Sequence, residues 1–354
     1  ALANEKDGDH GNAWLKTNSA ASGAYKLVAW KPNESVTLDG RLDEAVWQKA
    51  VPVENFVQKE PIEGAKPRER TEVRFCYDGS SLYIGARMHT RASGSVQSTL
   101  SRRDNAGNSE RVLISLDTYF DKLTAYTFGV TASGVRIDYY HHEDEEFSRD
   151  YSFDPVWEAA VTRDDSSWIA EMRIPFSQLR FSGSIAQTWG LNINRYIPTE
   201  NEDLYWVLVP KKQTGWASRF GTLNGIRGIR SSYRIEIVPY IAGSSTLRDD
   251  RDHRNPFDDG KNLRGRAGLD YKMGLGPNLT LDASINPDFG QVEADPAEVN
   301  LSAYETIFSE RRPFFIEGSQ LLQGPGMSYF YSRRIGAAPH GGSAARYTDM
   351  PTST

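Results

Sequence analysis

The chain contains a single cysteine, Cys76, so no intrachain disulfide can form and no cysteine cluster can hold a metal. Cys76 falls in the strand-like run Val73 to Tyr77, where a small buried thiol is the ordinary reading. Long apolar runs are also missing. No stretch approaches the roughly 18 residues that a membrane-spanning helix needs. A basic excess is absent too: 41 Lys and Arg stand against 47 Asp and Glu, a net charge of -6. A phosphate backbone rewards the opposite balance, so nucleic acid is excluded as a partner. Catalytic signatures are lacking as well. There is no Gly-x-Ser-x-Gly elbow, no phosphate-cradling glycine loop and no His-Glu-x-x-His metal motif. A carboxylate pair for glycoside hydrolysis would lie far apart in sequence, so spacing cannot reveal it. No catalytic residue is assigned, and the chain reads as a binder rather than an enzyme. Were it an enzyme, the class would be a hydrolase of O-glycosyl compounds.

The sequence is rich in aromatics, with 17 Tyr, 15 Phe and 8 Trp among 354 residues. Aromatic side chains favour strands and supply stacking faces for sugars. Period-2 alternation dominates from about residue 35. Val73, Phe75 and Tyr77 alternate with Arg74 and Cys76, and Asp78 to Ser81 supplies a turn. Leu82, Ile84, Ala86 and Met88 then form the apolar side of the next strand. Tyr126, Phe128 and Val130 lead into an Ala132-Ser133-Gly134 turn, followed by Val135, Ile137 and Tyr139. Trp168, Ala170, Met172 and Ile174 make another strand, ended by Pro175, and Leu204, Trp206 and Leu208 one more. Many short strands joined by turns predict an all-β antiparallel sandwich. Helix is confined to Glu44–Lys49, with Asp43 as its N-cap, and one turn at Ser177–Leu179. Trp47 and Trp168 sit on apolar faces and are expected in the core.

The organisation follows from these changes of pattern. Residues 1–24 are polar and small and read as a disordered lead-in. Ala1-Leu2-Ala3 has the small-x-small form of a signal-peptidase site, which predicts an exported chain. Residues 25–228 carry the sandwich, and residues 229–354 a different, hairpin-rich pattern. Tyr233, Ile235 and Ile237 open a strand there, and Asp249–Asn262 reads as a charged linker. Ala267 to Leu275 and Leu279 to Ile285 then alternate cleanly about a Gly276-Pro277-Asn278 hairpin.

The run Val36-Thr37-Leu38-Asp39-Gly40-Arg41-Leu42-Asp43-Glu44-Ala45-Val46-Trp47 resembles the opening signature of family 9 carbohydrate-binding modules. Tyr77-Asp78, Leu82-Tyr83-Ile84, Leu116-Asp117, Ala125-Tyr126 to Gly134, Trp168 through Glu171 to Ile174-Pro175-Phe176, and Trp189 to Arg195 follow in the matching order, over about residues 27 to 226. The resemblance implies a two-sheet sandwich, related to the DOMON sandwiches that bind sugars or haem. It further implies an oligosaccharide or polysaccharide partner and is compatible with a structural calcium ion; the metal ligands are unknown. In a haem-binding variant Met88 or a histidine would ligate iron, though no axial pair is visible. Asn286 to Pro296, Phe308 to Gly318 and Tyr331 to Gly336 resemble an uncharacterised family of domains of unknown function, family 5916. Its members carry this sandwich ahead of a predicted outer-membrane β-barrel. That likeness implies a Gram-negative cell-envelope location, outer membrane or periplasm. The barrel would lie mostly beyond Thr354, so the chain reads as truncated.

A sugar ring offers an apolar face to an aromatic and a rim of hydroxyls to amides, arginines and carboxylates. Trp157, Trp206 and Trp216 with Asn192, Asn194 and Arg195 offer that chemistry late in the sandwich and are the expected ligand-binding set. The bland alternative makes most of these tryptophans core or rim residues. His141-His142-Glu143-Asp144-Glu145-Glu146 is read as a solvated acidic loop, with a cation site as the alternative. Two further functions remain open at this point: a structural or gating domain of an outer-membrane transporter without sugar binding, and a protein associated with glycoside hydrolysis.

Overall fold

The computed structural model describes residues 26–29, 31, 36–91, 95–229, 235–247, 261–275 and 279–286, with short pieces between 310 and 332. The expected lead-in, the Gly276-Pro277-Asn278 turn and nearly all of the three C-terminal motifs lie outside these residues. The elements of the first unit, in chain order, are β1 (Lys26–Val28), α1 (Ala45–Lys49), β2 (Val57–Glu60), β3 (Thr71–Tyr77), β4 (Ser81–His89), β5 (Arg111–Asp117) and β6 (Ala125–Thr131). They continue with β7 (Arg136–His141), β8 (Arg149–Asp150), β9 (Glu158–Arg163), β10 (Ser167–Pro175), β11 (Ala186–Ile197), β12 (Glu202–Tyr205) and β13 (Gly221–Arg227). Two sheets result. The larger runs β1-β13-β11-β5-β6-β7-β8, with β12 pairing β11 and β2 pairing β12; the smaller runs β3-β4-β10-β9. The predicted all-β antiparallel sandwich is present. One ladder departs from antiparallel order, since β1 pairs β13 in parallel.

The alternation that predicted the strands also fills the space between the sheets. Phe75, Ile84, Met88, Trp168 and Met172 of the smaller sheet meet Ile114, Phe128, Leu191 and Ile193 of the larger in one buried cluster. Each large side chain removed from water there contributes roughly 1.5–3 kcal/mol. Met88 is fully buried among the apolar side chains of this cluster. Cys76 is buried on the opposite face of its strand, and burial pushes its thiol up.

The short helix α1 begins at Ala45, with Glu44 rather than Asp43 in the cap position and no side-chain cap bond. The Glu44 carboxylate instead accepts from the Thr37 backbone N–H at 3.0 Å. The polar groups of the Val36–Trp47 signature converge on Glu171 of β10. Its Oε2 accepts from the Asp39 and Gly40 N–H groups at 3.0 and 2.7 Å, and its Oε1 from the Trp47 indole at 2.9 Å. Gly40 has φ +81°, and a Cβ there would meet Thr162, so this tight turn requires glycine. Burial raises the Glu171 carboxyl to about 7, against the bonds that the Gly40 and Asp39 N–H groups donate.

Arg195, expected at a ligand site, lies fully buried between the sheets. Its Nε and Nη2 reach the Glu110 carboxylate at 2.9 and 2.6 Å, and Nη2 also reaches Glu69 at 2.9 Å. Nη1 donates to Thr71 Oγ1 and the Arg70 carbonyl, and Nη2 to the His89 carbonyl. The Trp168 indole closes the set on Glu110 at 2.8 Å. All five guanidinium N–H groups can therefore be used, which is what burying this charge demands.

A second compact unit begins at Ile235. Its strands β14 (Ile235–Leu247), β15 (Lys261–Leu275) and β16 (Leu279–Ile285) form an antiparallel sheet in that order. The expected linker is shorter than predicted, because Lys261 and Asn262 already belong to β15. The Tyr240 hydroxyl crosses over Gly268 to the Asn286 carbonyl, a path that any Cβ at position 268 would block. Among the described residues no helix is long and apolar enough to cross a membrane.

Replacing Arg195 with Met keeps the bulk but leaves Glu69 and Glu110 buried without their cation. The expected loss is about 3–5 kcal/mol, read from denaturant unfolding followed by tryptophan emission. A loss below about 1 kcal/mol would mean that the sheets do not depend on this tie.

Candidate functional site

Strand parity decides which face each side chain takes. On β11, Trp189, Leu191, Ile193 and Arg195 point between the sheets, so Asn192 and Asn194 point to the outer face of the larger sheet. Register then builds a polar row there: Asn192 opposite Ser115, Ser115 opposite Thr127, and Thr127 opposite Tyr139. The Ser115 and Thr127 hydroxyls share a hydrogen bond of 2.8 Å. Asn194 stands opposite Tyr205 of β12, and His141 opposite Arg149 of β8.

Much of this face is covered by the segment after β12. Asn192 clasps its start, accepting from Val207 N–H and donating to Val207 C=O, both at 3.0 Å. Asp144 Oδ1 fastens its end, accepting from the Trp216 and Ser218 N–H groups at 2.7 and 2.9 Å. Trp216 then packs with Ala125, Tyr205, Val209, Ala217 and Phe220 in a second apolar cluster. Its ring meets Tyr205 and Phe220 edge-on, with centroids 5.8 and 5.2 Å apart, and His141 at 5.9 Å.

The structure therefore divides the expected ligand-binding set. Asn192, Asn194 and Trp216 come together on the outer face. Trp157 and Trp206 belong with Arg195 to the interior between the sheets. Trp157 is 1% exposed, donates its indole N–H to Asp138 at 2.8 Å and meets Phe128 edge-on. Trp206 stands on the inward side, in phase with Leu204, and is 3% exposed. Neither ring offers a face to solvent, because each completes the core where the strands end. Trp216, though on the outer face, is itself covered.

Beside Asn194 runs a chain of polar groups. Asn194 Nδ2 donates to Asp203 Oδ1 at 2.6 Å. The Tyr205 hydroxyl lies 3.2 Å from Asp203 Oδ2 and 2.5 Å from Glu146 Oε1. Lys59 pairs with the other Glu146 oxygen. One phenol has one proton and cannot donate to two carboxylates. Burial raises the Asp203 carboxyl, and the nearby Glu146 charge raises it further, against the bonds from Asn194 and Tyr205. The shorter contact, from Tyr205 to Glu146, takes the phenol proton, and Asn194 Nδ2 holds Asp203.

His141 corrects the reading of the acidic loop: it closes strand β7 and is fully buried. Its Nδ1 sits 3.1 Å from the Glu145 carbonyl and so carries the ring proton. The bare Nε2 and the Trp216 indole N–H have no protein partner among the described residues. Among those residues no three His, Cys, Asp or Glu side chains group to hold a metal ion.

The rest of that loop holds groups that sequence reasoning missed. Phe147 is 80% and Tyr151 48% exposed. Between them the Arg149 guanidinium lies over the Tyr139 ring at 5.0 Å and the Phe147 ring at 5.5 Å. Arg111 lies over Tyr196 at 4.4 Å on the same sheet face. The available signal was an unaccompanied aromatic pair in an otherwise charged loop, outside any alternation.

Burial lowers His141 to about 4 against the Glu145 carbonyl bond, helped by the Arg149 charge. Its ordinary value is about 6.5, so the unfolded chain binds this proton first as pH falls. The stability held by neutral His141 is complete above about pH 6.5 and drains away as pH falls toward 4. At pH 5 the loss from this group is about 2 kcal/mol. A His141→Gln protein should lose that part of the pH dependence in unfolding measured from pH 7 to 4.5. Identical profiles for the two proteins would contradict the assignment.

Comparison with known proteins gives a limited picture. No curated protein matches the chain. A family described as a domain of unknown function (DUF5916) matches residues 231–352, the part that carries the three C-terminal motifs. Among solved structures, a carbohydrate-binding module of family 9 from Caldicellulosiruptor kristjanssonii in complex with cellotriose is 13% identical. It covers 56% of this chain and 93% of its own, with a TM-score of 0.41. The family 9 module from the same organism in complex with glucose is 13% identical and covers 56% and 95%, with a TM-score of 0.40. A provisionally designated carbohydrate-binding protein from Bacteroides uniformis ATCC 8492 is 14% identical, covers 58% and 99%, and has a TM-score of 0.45.

Proposed function

We propose that residues 25–228 form a carbohydrate-recognition domain of a cell-envelope protein, binding oligosaccharide on the outer face of the larger sheet. The observation that carries this reading is the open aromatic pair Phe147 and Tyr151 around Arg149, beside the polar chain of Asn194, Asp203, Tyr205 and Glu146. Exposed rings in a charged loop contribute nothing to the core, and leaving them in water is unfavourable unless something covers them. A pyranose ring fits the requirement. Its C–H face stacks on an aromatic while its hydroxyls take up amide, carboxylate and guanidinium groups. Asn194 and the buried row behind it hold this rim in place, and Trp216 anchors the covering segment. Catalysis is not part of the reading, since Glu146 is bound to Lys59 and Tyr205 and holds no free carboxylate edge toward a substrate.

The envelope part rests on the sheet β14-β15-β16. Register puts Ile235, Ile237, Ile241 and Leu247 on the same face as Met273, Tyr271, Ala267 and Lys261, with Leu263 and Leu269 in that row. Glu236, Lys272, Asp270 and Arg266 take the other face, where Ser284 bonds Asp270 at 2.6 Å. The apolar face is open, with Ile241 89% and Leu263 84% exposed. Strands of 13 and 15 residues exceed the roughly 9–11 that a membrane strand needs, and apolar-out, polar-in alternation is the pattern lipid selects.

Two measurements test these parts separately. In a glycan array and titration followed by tryptophan or tyrosine emission, Phe147→Ala and Tyr151→Ala should each weaken binding about tenfold without changing the melting temperature. Saturable binding untouched by both changes would move the site elsewhere, and no binding to any plant, algal or bacterial glycan would favour a structural or gating role. For the sheet, the chain expressed without detergent should aggregate and be rescued by detergent. A monodisperse monomer in plain buffer would count against a lipid-facing role.

A further inference from the structure

Arg111 and Arg149 stand on aromatic rings of the outer face, apart from the six arginines that are ion-paired among the described residues of the sandwich. Arg68, Arg70, Arg74, Arg103, Arg173 and Arg195 each hold a carboxylate within ion-pair distance. Arg111 and Arg149 are half-buried, and neither makes an ion pair among the described residues. Arg111 rests on the Tyr196 ring and Arg149 on the Tyr139 and Phe147 rings. Arg149 Nε donates to the Glu146 carbonyl at 3.2 Å, and the Tyr151 phenol is a further partner. Both guanidinium charges act on the Tyr139 phenol, so they bear on one patch of the outer face.

The carboxylates nearby are already engaged. Glu146 holds Lys59 and Tyr205, Asp203 holds Asn194 and Tyr205, and Asp144 holds the Trp216 and Ser218 N–H groups. Glu143 and Glu145 are exposed, and at physiological salt the field of an exposed charge fades over about 8 Å. A guanidinium–carboxylate or guanidinium–sulfate contact acts at hydrogen-bond range, where its paired N–H groups favour a planar or tetrahedral oxyanion over a lone hydroxyl. Stacking on tyrosine fixes each fork in direction.

We propose that the ligand of this face is an anionic glycan, whose sugar-borne carboxylate or sulfate is gripped by Arg149 and Arg111 while its rings lie on Phe147 and Tyr151. The inference rests on the carbohydrate-binding reading and narrows it to a charged substrate class. Uronate and sulfate esters present the same oxyanion chemistry, and the test separates them.

The test is calorimetric titration of the full chain with three oligosaccharides of equal length: an oligogalacturonate, a sulfated galactan fragment and its desulfated neutral counterpart. Each is measured at about 20 and about 300 mM salt. At least one acidic ligand should bind about tenfold or more tighter than the neutral one at low salt, with the ratio shrinking at high salt. Arg149→Met and Arg111→Met should each pull the acidic-to-neutral ratio toward one, and Arg149→Lys should keep part of it. The salt dependence of the unaltered protein stands even where a variant folds poorly. Equal affinity for acidic and neutral ligands would overturn the inference while leaving carbohydrate binding intact. A ratio unchanged in well-folded variants would also overturn it, as would inorganic sulfate binding as tightly as the sulfated fragment. If none of the three binds, the carbohydrate reading falls and this inference with it.

Discussion

The buried guanidinium of Arg195 is the constraint around which the sandwich is arranged. It rises from β11 in the larger sheet and ends on Thr71 and the His89 carbonyl at the margins of β3 and β4 in the smaller one. Between them stand Glu69 and Glu110, the latter also taking the Trp168 indole. A charge so placed tolerates no slippage. Moving either sheet by one residue would strand three ionised groups away from water, at several kcal/mol each. Apolar contact supplies most of the energy holding the sheets together, but it is nearly indifferent to small shifts. The polar tie supplies the register, and the outer face inherits its geometry from that register.

The same logic recurs on the far side of the smaller sheet. Glu171 gathers the Asp39 and Gly40 N–H groups and the Trp47 indole. The N-terminal signature is thus a set of donors for one carboxylate, and its function is structural. The two most recognisable polar features of the sequence, the signature and Arg195, therefore organise the scaffold. The groups open to a ligand lie in plainer sequence, on β5, β8 and the loop before it.

How far the sequence could be read follows from this. The strands were legible because period-2 alternation leaves a direct trace, as in Leu82 to Met88 and Trp168 to Ile174. Parity could also have placed Arg195: it shares phase with Trp189, Leu191 and Ile193, while Asn192 and Asn194 do not. What alternation cannot state is whether an outward side chain is later covered. Asn192, His141 and Trp216 are buried only because a segment starting at Val207 folds across them, held by Asp144 from a distant loop. Trp157 was illegible for a related reason. It lies outside any strand, and its burial depends on Asp138 and Phe128, which no local pattern connects to it. Phe147 and Tyr151 were hidden in the opposite way, by an acidic neighbourhood that reads as solvent-facing and nothing more.

The two units put their apolar surface to opposite use. In the sandwich most large apolar side chains are enclosed, and the outer faces of both sheets are partly covered, by α1 on one side and the Val207–Phe220 segment on the other. Phe147 is the most exposed ring of this unit among the described residues, and with Tyr151 it flanks Arg149. In β14-β15-β16 exposure is the rule on β14, from Ile235 to Leu247, while Leu269, Tyr271 and Met273 of β15 are half-buried. A single exposed ring can serve a sugar. A sheet face with many exposed apolar side chains asks for a larger cover, because the cost of leaving it in water grows with its area. The two units thus differ in how far their apolar side chains are covered, a property set by which strand positions carry Ile, Leu and aromatic residues.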